Sequence, residues 1–223
     1  MPQVALVQPA IAVRRGAVGS TDAGCGLSPD RISAGSGGLE GRAVARILLL
    51  HKGVYGHALK ISERLRDGLA ARGDSTVVRP LDEGAADGGE FDAIVIGASI
   101  RHGKHNPAVM EFIRAQLPLL NTKPSAFFSV NLVARKPAKN TPETNPYARK
   151  FLAQSPWKPT IAAVFGGVLD YQRYGPFDRY AIRFIMKLTG GPTDLHTNTE
   201  FTDWDAVQRF AASISRIAAD KSP

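Results

Sequence analysis

Five short apolar runs, separated by segments of helical or loop character, are the feature that most restricts how this chain of 223 residues can fold. The runs are ARILLL, STVVRP, FDAIVIGAS, SAFFSVNLV and TIAAVFGGVLD, which begin at residues 45, 75, 91, 125 and 160. The third run is apolar on both faces, as is typical of a central strand in a parallel sheet. Strands that alternate with helices favour right-handed crossovers and helices on both sheet faces. The sequence therefore predicts a doubly wound α/β domain with five parallel strands.

Helical patterns lie between and after these runs. Ile61, Leu65 and Leu69 recur every fourth residue, and Gly73 can end that helix in the left-handed conformation. Pro107 suits the first turn of a second helix, which we predict to extend through Leu117, Val109, Phe112 and Ile113 included. Two more helices are predicted to begin near residues 176 and 202. These helices would cover the sheet.

A polar, proline-punctuated segment of residues 134–159 follows the fourth predicted strand. It is too long for an ordinary connection inside a compact domain. Long insertions of this kind are usually functional. The sequence therefore predicts a long insert after strand four.

The first 43 residues are rich in Gly, Ser and Ala and have neither helical nor strand periodicity. They predict a disordered N-terminal extension before a single domain of residues 44–220, although a wrongly chosen initiation codon would give the same pattern. The apolar part of the N-terminus precedes its arginines, the reverse of a secretory signal. A single cysteine, Cys25, excludes an internal disulfide and fits a cytoplasmic protein.

The chain carries 28 basic and 20 acidic residues, for a formal net charge of +8. This bias attracts phosphates, carboxylated ligands, anionic lipids or nucleic acid, and charge alone does not choose among them. We expect no nucleic-acid partner, because the interleaved aromatic and basic strands of single-strand binders are missing from the sequence. No apolar run approaches the roughly 18 to 20 residues that span a bilayer.

Ligands of doubly wound sheets bind beyond the carboxyl ends of the strands, so the loops after strands one, three and four are the expected site. In the first of these loops, residues 51–58, backbone amides and the dipole of the following helix would converge on a phosphate. Gly53 and Gly56 allow a close approach. The alternative is a tight turn that binds nothing.

Three motifs make the sequence similar to a known family: VIGASIRHGKH, PSAFFSVNLVARKPAKNTPETNPYARKFL, and IMKLTGG followed by FTDW. They resemble the flavodoxin-type, quinone-dependent protoporphyrinogen IX dehydrogenases of bacteria, from about Ile47 to the last helix. The resemblance implies a flavodoxin-like fold, FMN as cofactor, and oxidation of protoporphyrinogen IX to protoporphyrin IX in haem biosynthesis. It also implies a membrane quinone as electron acceptor. No residue stands out as a nucleophile, and no metal site is predicted.

The first loop departs from this family. Flavodoxin loops offer Ser or Thr hydroxyls to the FMN phosphate, whereas residues 52–58 here contain none. A hydrogen bond to a charged group contributes roughly 1.5 to 3 kcal/mol, so losing two would weaken binding about 100-fold or more. Lys52 and His57 are predicted to compensate with cationic or imidazole donors. We therefore expect FMN to bind, but more loosely.

The resemblance assigns cofactor contacts to three loops. The predicted cofactor-binding residues are Lys52, Gly53, Val54, Tyr55, Gly56, His57, Ala58, Ser99, Ile100, Arg101, His102, Gly103, Asn131, Leu132, Val133 and Ala134. The propionates of the porphyrinogen call for cations, and the predicted substrate-binding residues are Arg135, Lys136, Arg149 and Lys150. His102 is a candidate acid or base, with an ordinary surface histidine as the alternative.

The helix near residue 176 places Arg179, Arg183 and Lys187 in one cationic stripe. The opposite side carries Phe177, Tyr180, Phe184 and Leu188. We expect the basic stripe to meet an anionic membrane, as a peripheral contact on the inner face of the cell membrane. The alternative is an ordinary amphipathic helix whose apolar face packs on the sheet.

Two other functions stay open at this point. One is a flavodoxin-like quinone reductase that uses NAD(P)H, against which the long family-specific insert argues. The other is a homologue without flavin that binds porphyrin or a partner, which the altered first loop would favour. The sequence does not predict an oligomeric state.

Overall fold

The computed structural model describes residues 44–220, so the predicted extension of residues 1–43 lies outside the described residues. The strands are β1 Arg46–Lys52, β2 Ser75–Pro80, β3 Ala93–Arg101, β4 Lys104–His105, β5 Ser125–Asn131, β6 Ile161–Gly166, β7 Val168–Asp170 and β8 Asn198–Glu200. The α-helices are α1 His57–Ala70, α2 Pro107–Ala115, α3 Leu117–Thr122, α4 Pro146–Gln154, α5 Pro176–Thr189 and α6 Trp204–Ala219.

Five parallel strands form the sheet, in the order β2-β1-β3-β5-β6. This order confirms the predicted doubly wound, five-stranded α/β fold. β3 lies at the centre, and Gly97 on it has no room for a side chain, because a Cβ would overlap the ring of Phe128 on β5. β4 extends β3 as a two-residue antiparallel ribbon.

Helices cover both faces of the sheet, as predicted. On one face α1 and α6 bury Leu65, Phe210 and Ile214 against strand residues such as Leu49 and Phe128. The other face is covered by apolar residues that lie on or near α2, α3 and α4, and the buried ones are Val109, Ile113, Leu120, Phe151 and Trp157. These two apolar layers, one on each face, stabilise the sheet and so fix the positions of the loops at its carboxyl edge.

Two helix boundaries differ from the sequence prediction. The predicted helix through Leu117 is divided at Gln116 into α2 and α3, because Pro118 has no N–H and disfavours a continuous helix through the residues before it. The last helix, predicted to begin near residue 202, begins at Trp204 after its cap Asp203, whose carboxylate accepts a bond from Ala206 N at 2.9 Å.

The segment after β5 contains a helix that sequence reasoning did not find. Asn145 begins α4, because its side-chain oxygen accepts bonds from the amides of Tyr147 and Ala148, at 3.2 Å each. Ala148 and Phe151 on α4 are buried. The long polar segment therefore forms a crossover connection that contains a helix, with two short 3₁₀ turns before it.

A second long departure from the sheet follows β6. The predicted fifth strand leaves the sheet after Gly166, and its last part, β7, pairs antiparallel with β8. The chain then returns to its starting point, where Phe201 N donates to Gly167 O at 3.0 Å and Thr202 Oγ1 donates to Gly166 O at 2.9 Å. We call residues 168–200, which include α5, the outer segment.

The outer segment has a small core of its own. Leu169, Tyr171, Tyr174 and Met186 are buried together there. Tyr171 Oη donates to Pro192 O at 2.7 Å, and Tyr174 Oη donates to Val168 O at 3.2 Å. Burial raises the pKa of Tyr174 to about 12, so its hydroxyl stays protonated near pH 7 and can donate this bond.

Candidate functional site

A cavity of about 310 Å³ lies beyond the carboxyl ends of β3 and β5, next to the loop that follows β1. This is the place where ligands of doubly wound sheets bind. Its outer wall is α5, which contributes Asp178, Ala181, Ile182, Ile185, Met186 and Thr189. The predicted site residues that line the cavity are Tyr55, His57, Ser99, Ile100, Arg101, His102, Gly103, Asn131, Leu132, Val133, Arg135 and Lys136.

The first loop is built almost entirely from backbone. Gly56 adopts a left-handed conformation with φ of 77° immediately before α1, and no side chain caps that helix end. Gly53 lies close to the end of β3, because a Cβ at this position would be 3.1 Å from both Ser99 Oγ and Ala58 Cβ. The loop can therefore offer amides and the positive end of the helix dipole, as predicted from its two glycines.

The two side chains expected to replace the missing hydroxyls have protein partners instead. Lys52 Nζ forms an ion pair with Asp82. His57 Nε2 lies 2.7 Å from Thr202 Oγ1, and because that hydroxyl donates to Gly166 O, the imidazole N–H must be the donor to Thr202. Burial lowers the pKa of His57. Neither side chain is therefore positioned as a cation for a phosphate.

Arg173 is the cation that sequence reasoning missed at this loop. Its Nη1 donates to Tyr55 O at 3.1 Å, and its Nε lies 3.7 Å from Asp170 Oδ2. Arg173 also lines the cavity. The available signal was the aromatic and basic turn YQRYGPFDRY, which includes this residue. A guanidinium thus stands next to the backbone amides at the start of α1.

The second loop is a tight turn between β3 and β4, and it is tied to α5. His102 and Gly103 have φ of 49° and 75°. Asp178 at the start of α5 accepts from Arg101 Nη2 at 3.1 Å and lies 2.8 Å from His102 Nε2. These contacts, that of His102 foremost, lower the pKa of Asp178. The Asp178 carboxylate therefore holds His102, whose backbone is in the left-handed conformation, against α5 at the outer wall of the cavity.

The third loop rests on a buried polar network. Asn131 Oδ1 accepts from Ala134 N at 3.1 Å and from Asn145 Nδ2 at 3.0 Å. Ser129 connects this network to His105, whose Nε2 lies 2.9 Å from Ser129 Oγ. Burial lowers the pKa of His105 to about 4, so its ring is neutral near pH 7. This network fixes the backbone that follows β5.

The predicted substrate cations divide into two groups. Arg135 lines the cavity but is held by Leu132 O at 3.0 Å and by Thr189 Oγ1 at 2.7 Å, which joins the third loop to the end of α5. Lys136 lines the cavity together with Lys139, which sequence reasoning did not select. Arg149 and Lys150 are exposed on α4 and do not line the cavity. Among the predicted cofactor residues, the ones outside the cavity lining are Lys52, Gly53, Val54, Gly56, Ala58 and Ala134.

The two faces of α5 differ from two of the expectations: its apolar face does not pack on the sheet, and one residue of the expected cationic stripe points inward. Arg179, predicted in an outward cationic stripe, points inward, where its Nε donates to Tyr171 O at 2.9 Å. Phe177, Tyr180, Phe184 and Leu188 are exposed and do not pack on the sheet. The reason is that Ile182 and Met186 occupy the inward positions and contact the core of the outer segment. Among the described residues no helix has the length and apolar character needed to cross a membrane.

A family model described as a flavodoxin domain matches residues 48–196, from β1 to the outer segment. The chain belongs to this flavodoxin domain family. The match includes β1, β3 and β5 with their loops, and hence most of the cavity wall.

The resemblance drawn from the motifs is confirmed by curated relatives. A protein from Escherichia coli strain K12 named protoporphyrinogen IX dehydrogenase (quinone) is 51% identical over 127 residues, which cover 57% of this chain and 70% of the relative. A protein of the same name from Leishmania major is 42% identical over 177 residues, which cover 77% of this chain and 75% of the relative.

Solved structures with a related fold are more distant in sequence. A flavodoxin from an archaeon has a TM-score of 0.46 at 13% identity and covers 78% of this chain and 98% of its own. Flavodoxin 1 from Bacillus cereus has a TM-score of 0.44 at 11% identity and covers 77% of this chain and 98% of its own.

Proposed function

We propose that this protein oxidises protoporphyrinogen IX to protoporphyrin IX with FMN as cofactor and a membrane quinone as electron acceptor. The observation that carries the proposal is the 51% identity to the Escherichia coli dehydrogenase of that name, over most of the relative's length. The family-specific motifs contribute the second and third loops, which line one cavity at the carboxyl edge of the sheet. The position of the cavity and the name of the relatives therefore support the same function.

The first loop and the cavity fit a flavin nucleotide. The backbone amides at the start of α1 and the Arg173 guanidinium would hold the phosphate, in place of hydroxyl side chains. Backbone groups of residues 99–103 and 131–133 would meet the polar edge of the ring, and Tyr55 offers an aromatic face. FMN, when bound, takes an electron pair from one partner and passes it to another.

The cavity also suits a dicarboxylate substrate. Lys136 and Lys139 line it and supply cations for propionates, whereas Arg135 holds the third loop against α5. His102 lines the cavity and is fixed by Asp178, so we infer that it accepts a proton as the porphyrinogen is oxidised. The predicted roles of Arg149 and Lys150 gain no support from their position on α4.

A quinone dissolved in lipid would require the protein to approach the membrane. We propose a peripheral contact with the anionic inner face of the cell membrane, in line with the net charge of +8. Helix α5, the outer wall of the cavity, is the element best suited to contact the membrane, since it carries both exposed apolar residues and cations.

The decisive experiment is anaerobic incubation of the purified protein with protoporphyrinogen IX and a quinone, with and without added FMN. Porphyrin fluorescence that appears only with FMN would support both the reaction and the cofactor. Riboflavin, which lacks the phosphate, is the matched control and should support little activity at equal concentration. Porphyrin formation at the same rate without any flavin would overturn the proposal.

A further inference from the structure

Four large apolar side chains form an exposed stripe along α5. Phe177, Tyr180, Phe184 and Leu188 are 82%, 63%, 63% and 70% exposed, and we call them the outer stripe. Their spacing of three, four and four residues places them on one face of the helix. Single exposed apolar residues are ordinary, but a continuous row of this size marks an interaction surface.

The charges beside the outer stripe favour an anionic lipid surface over a second copy of the chain. Arg183 and Lys187 are exposed, one turn apart, along one flank of the stripe. In a two-fold dimer that buried the stripe between antiparallel copies of α5, these cations would lie beside those of the partner, which is unfavourable. Aromatic and aliphatic residues next to Lys and Arg are instead the composition of helices that lie in a membrane interface.

The outer stripe is continuous with the cavity. Ala181 and Ile185 lie on the other flank of the stripe, and both are exposed and line the cavity. Ile185 is 51% exposed, so its apolar surface joins the outside of α5 to the interior of the site. An apolar molecule in lipid would thus meet a continuous apolar path into the cavity.

The polar contacts that hold α5 in place lie on its inward side. Asp178 contacts Arg101 and His102, and Thr189 Oγ1 accepts from Arg135 Nη2. The cavity wall can therefore be covered by lipid on its outer face without loss of its attachment to the second and third loops.

We propose that the outer stripe of α5 inserts into the interface of an anionic bilayer, and that the flank at Ile185 admits an apolar, lipid-dissolved electron acceptor to the cavity. The second half of this inference rests on the proposed function. The first half does not, because it concerns only where the protein meets lipid. It replaces the expected contact through the basic stripe with an apolar contact that those cations assist.

Vesicle flotation tests the insertion without flavin or substrate. The probes are vesicles of equal parts phosphatidylcholine and phosphatidylglycerol, at low and at high salt. The double variant Phe184→Ser/Leu188→Ser should bind at least about tenfold more weakly at both salt concentrations, because the lost apolar area is not screened by ions. The matched control is Val44→Ser, an equally exposed apolar residue at 64% that lies before β1, and it should bind as the unmodified protein does.

The contribution of the two cations to vesicle binding is tested with the double variant Arg183→Gln/Lys187→Gln. This variant should lose binding mainly at low salt and keep the part that survives at high salt. The proposal is overturned if the serine double variant floats as well as the unmodified protein. It is also overturned if removing the cations abolishes all binding, or if sedimentation shows a dimer that the serine variant alone converts to monomers. Thermal unfolding of every variant verifies that the fold is intact.

The route into the cavity is tested with two acceptors, a long-chain quinone embedded in the vesicles and a short-chain quinone dissolved in water. The serine double variant should lose about tenfold or more of its rate with the embedded quinone and keep its rate with the dissolved one. Equal rates of variant and unmodified protein with the embedded quinone would overturn the route. If the unmodified protein is inactive with both quinones, the proposed function fails while the flotation result still decides the insertion.

Discussion

Helix α6 buries its large apolar residues, whereas α5, with a similar amphipathic pattern, leaves most of its own exposed. Phe210 on α6 is 7% exposed and packs in the core with Ile214, but Phe184 on α5 is exposed to solvent. α6 begins two residues after Thr202, which is bonded to Gly166 at the end of β6, so the helix lies against the sheet and α1. α5 lies in the outer segment and packs on that segment's small core. Periodicity identifies an apolar face but not what covers it.

A pair of truncations, one on α6 and one on α5, tests this comparison most directly. Phe210→Ala should lower the free energy of unfolding by about 3 to 5 kcal/mol, because it empties a buried site. Phe184→Ala should change it by less than about 0.5 kcal/mol, because its ring is already in water. Urea unfolding measures both. A similar loss for the two variants would mean that the outer stripe is covered in the folded protein.

The contrast between buried and exposed side chains can also be tested through pH, at the buried His105. The pKa of buried His105 is about 4, below the 6.5 of an unfolded histidine, so the unfolded chain binds more protons between these values. Stability should therefore be complete above about pH 6.5 and fall by up to about 3 kcal/mol as the pH drops to 4.

His105→Gln should flatten this part of the stability profile, because glutamine does not titrate in this range. Urea unfolding at a series of pH values gives the profiles of this variant and of the unmodified protein. If His105→Gln left the pH dependence in place, the assignment of this effect to the buried His105 would be wrong.

The outer segment, unlike α6, is also expected to contribute to cofactor binding. Arg173→Ala should weaken FMN binding by about 10- to 100-fold, since a charge-assisted bond to the phosphate is lost. Riboflavin affinity should not change, and Arg173→Lys should recover part of the FMN affinity. Fluorescence titration of flavin into the apoprotein measures these constants. An equal loss for FMN and riboflavin would exclude a phosphate contact.

The smallest expected effect concerns the attachment of α5 to the second loop. Asp178→Asn weakens the contacts with Arg101 and His102, which are largely solvent-accessible, so global stability should change little. Amide exchange should accelerate in α5 and in residues 101–103 but not in α6. Unchanged exchange in α5 would show that its small apolar core alone holds the helix in place.

The sheet was predictable because its signals are local. Buried runs such as AIVIG are typical of central parallel strands, and Gly53 lies as close to its neighbours as the sequence analysis expected. The family motifs then indicated the second and third loops, which do line one cavity.

Contacts over long sequence distances were not predictable from these signals. Lys52 was expected at the phosphate site, but Asp82, thirty residues away, takes it as an ion-pair partner. Arg173 reaches Tyr55 across 118 residues, and no pattern in its own neighbourhood indicates that partner. Helix α4 was missed because Asn145 and Pro146, which look like loop residues, in fact form its cap and first turn.

The outer segment leaves the sheet at Gly167 and rejoins it at Phe201, and one hydrogen bond joins these two residues. Because its two ends are hydrogen-bonded neighbours, the outer segment could be replaced by a tight turn without changing the order of the strands in the sheet. Arg173, Asp178 and the whole of α5 belong to this segment. Removing this segment would therefore take away the outer wall of the cavity and the cation beside the first loop, while the five-stranded sheet would keep its strands.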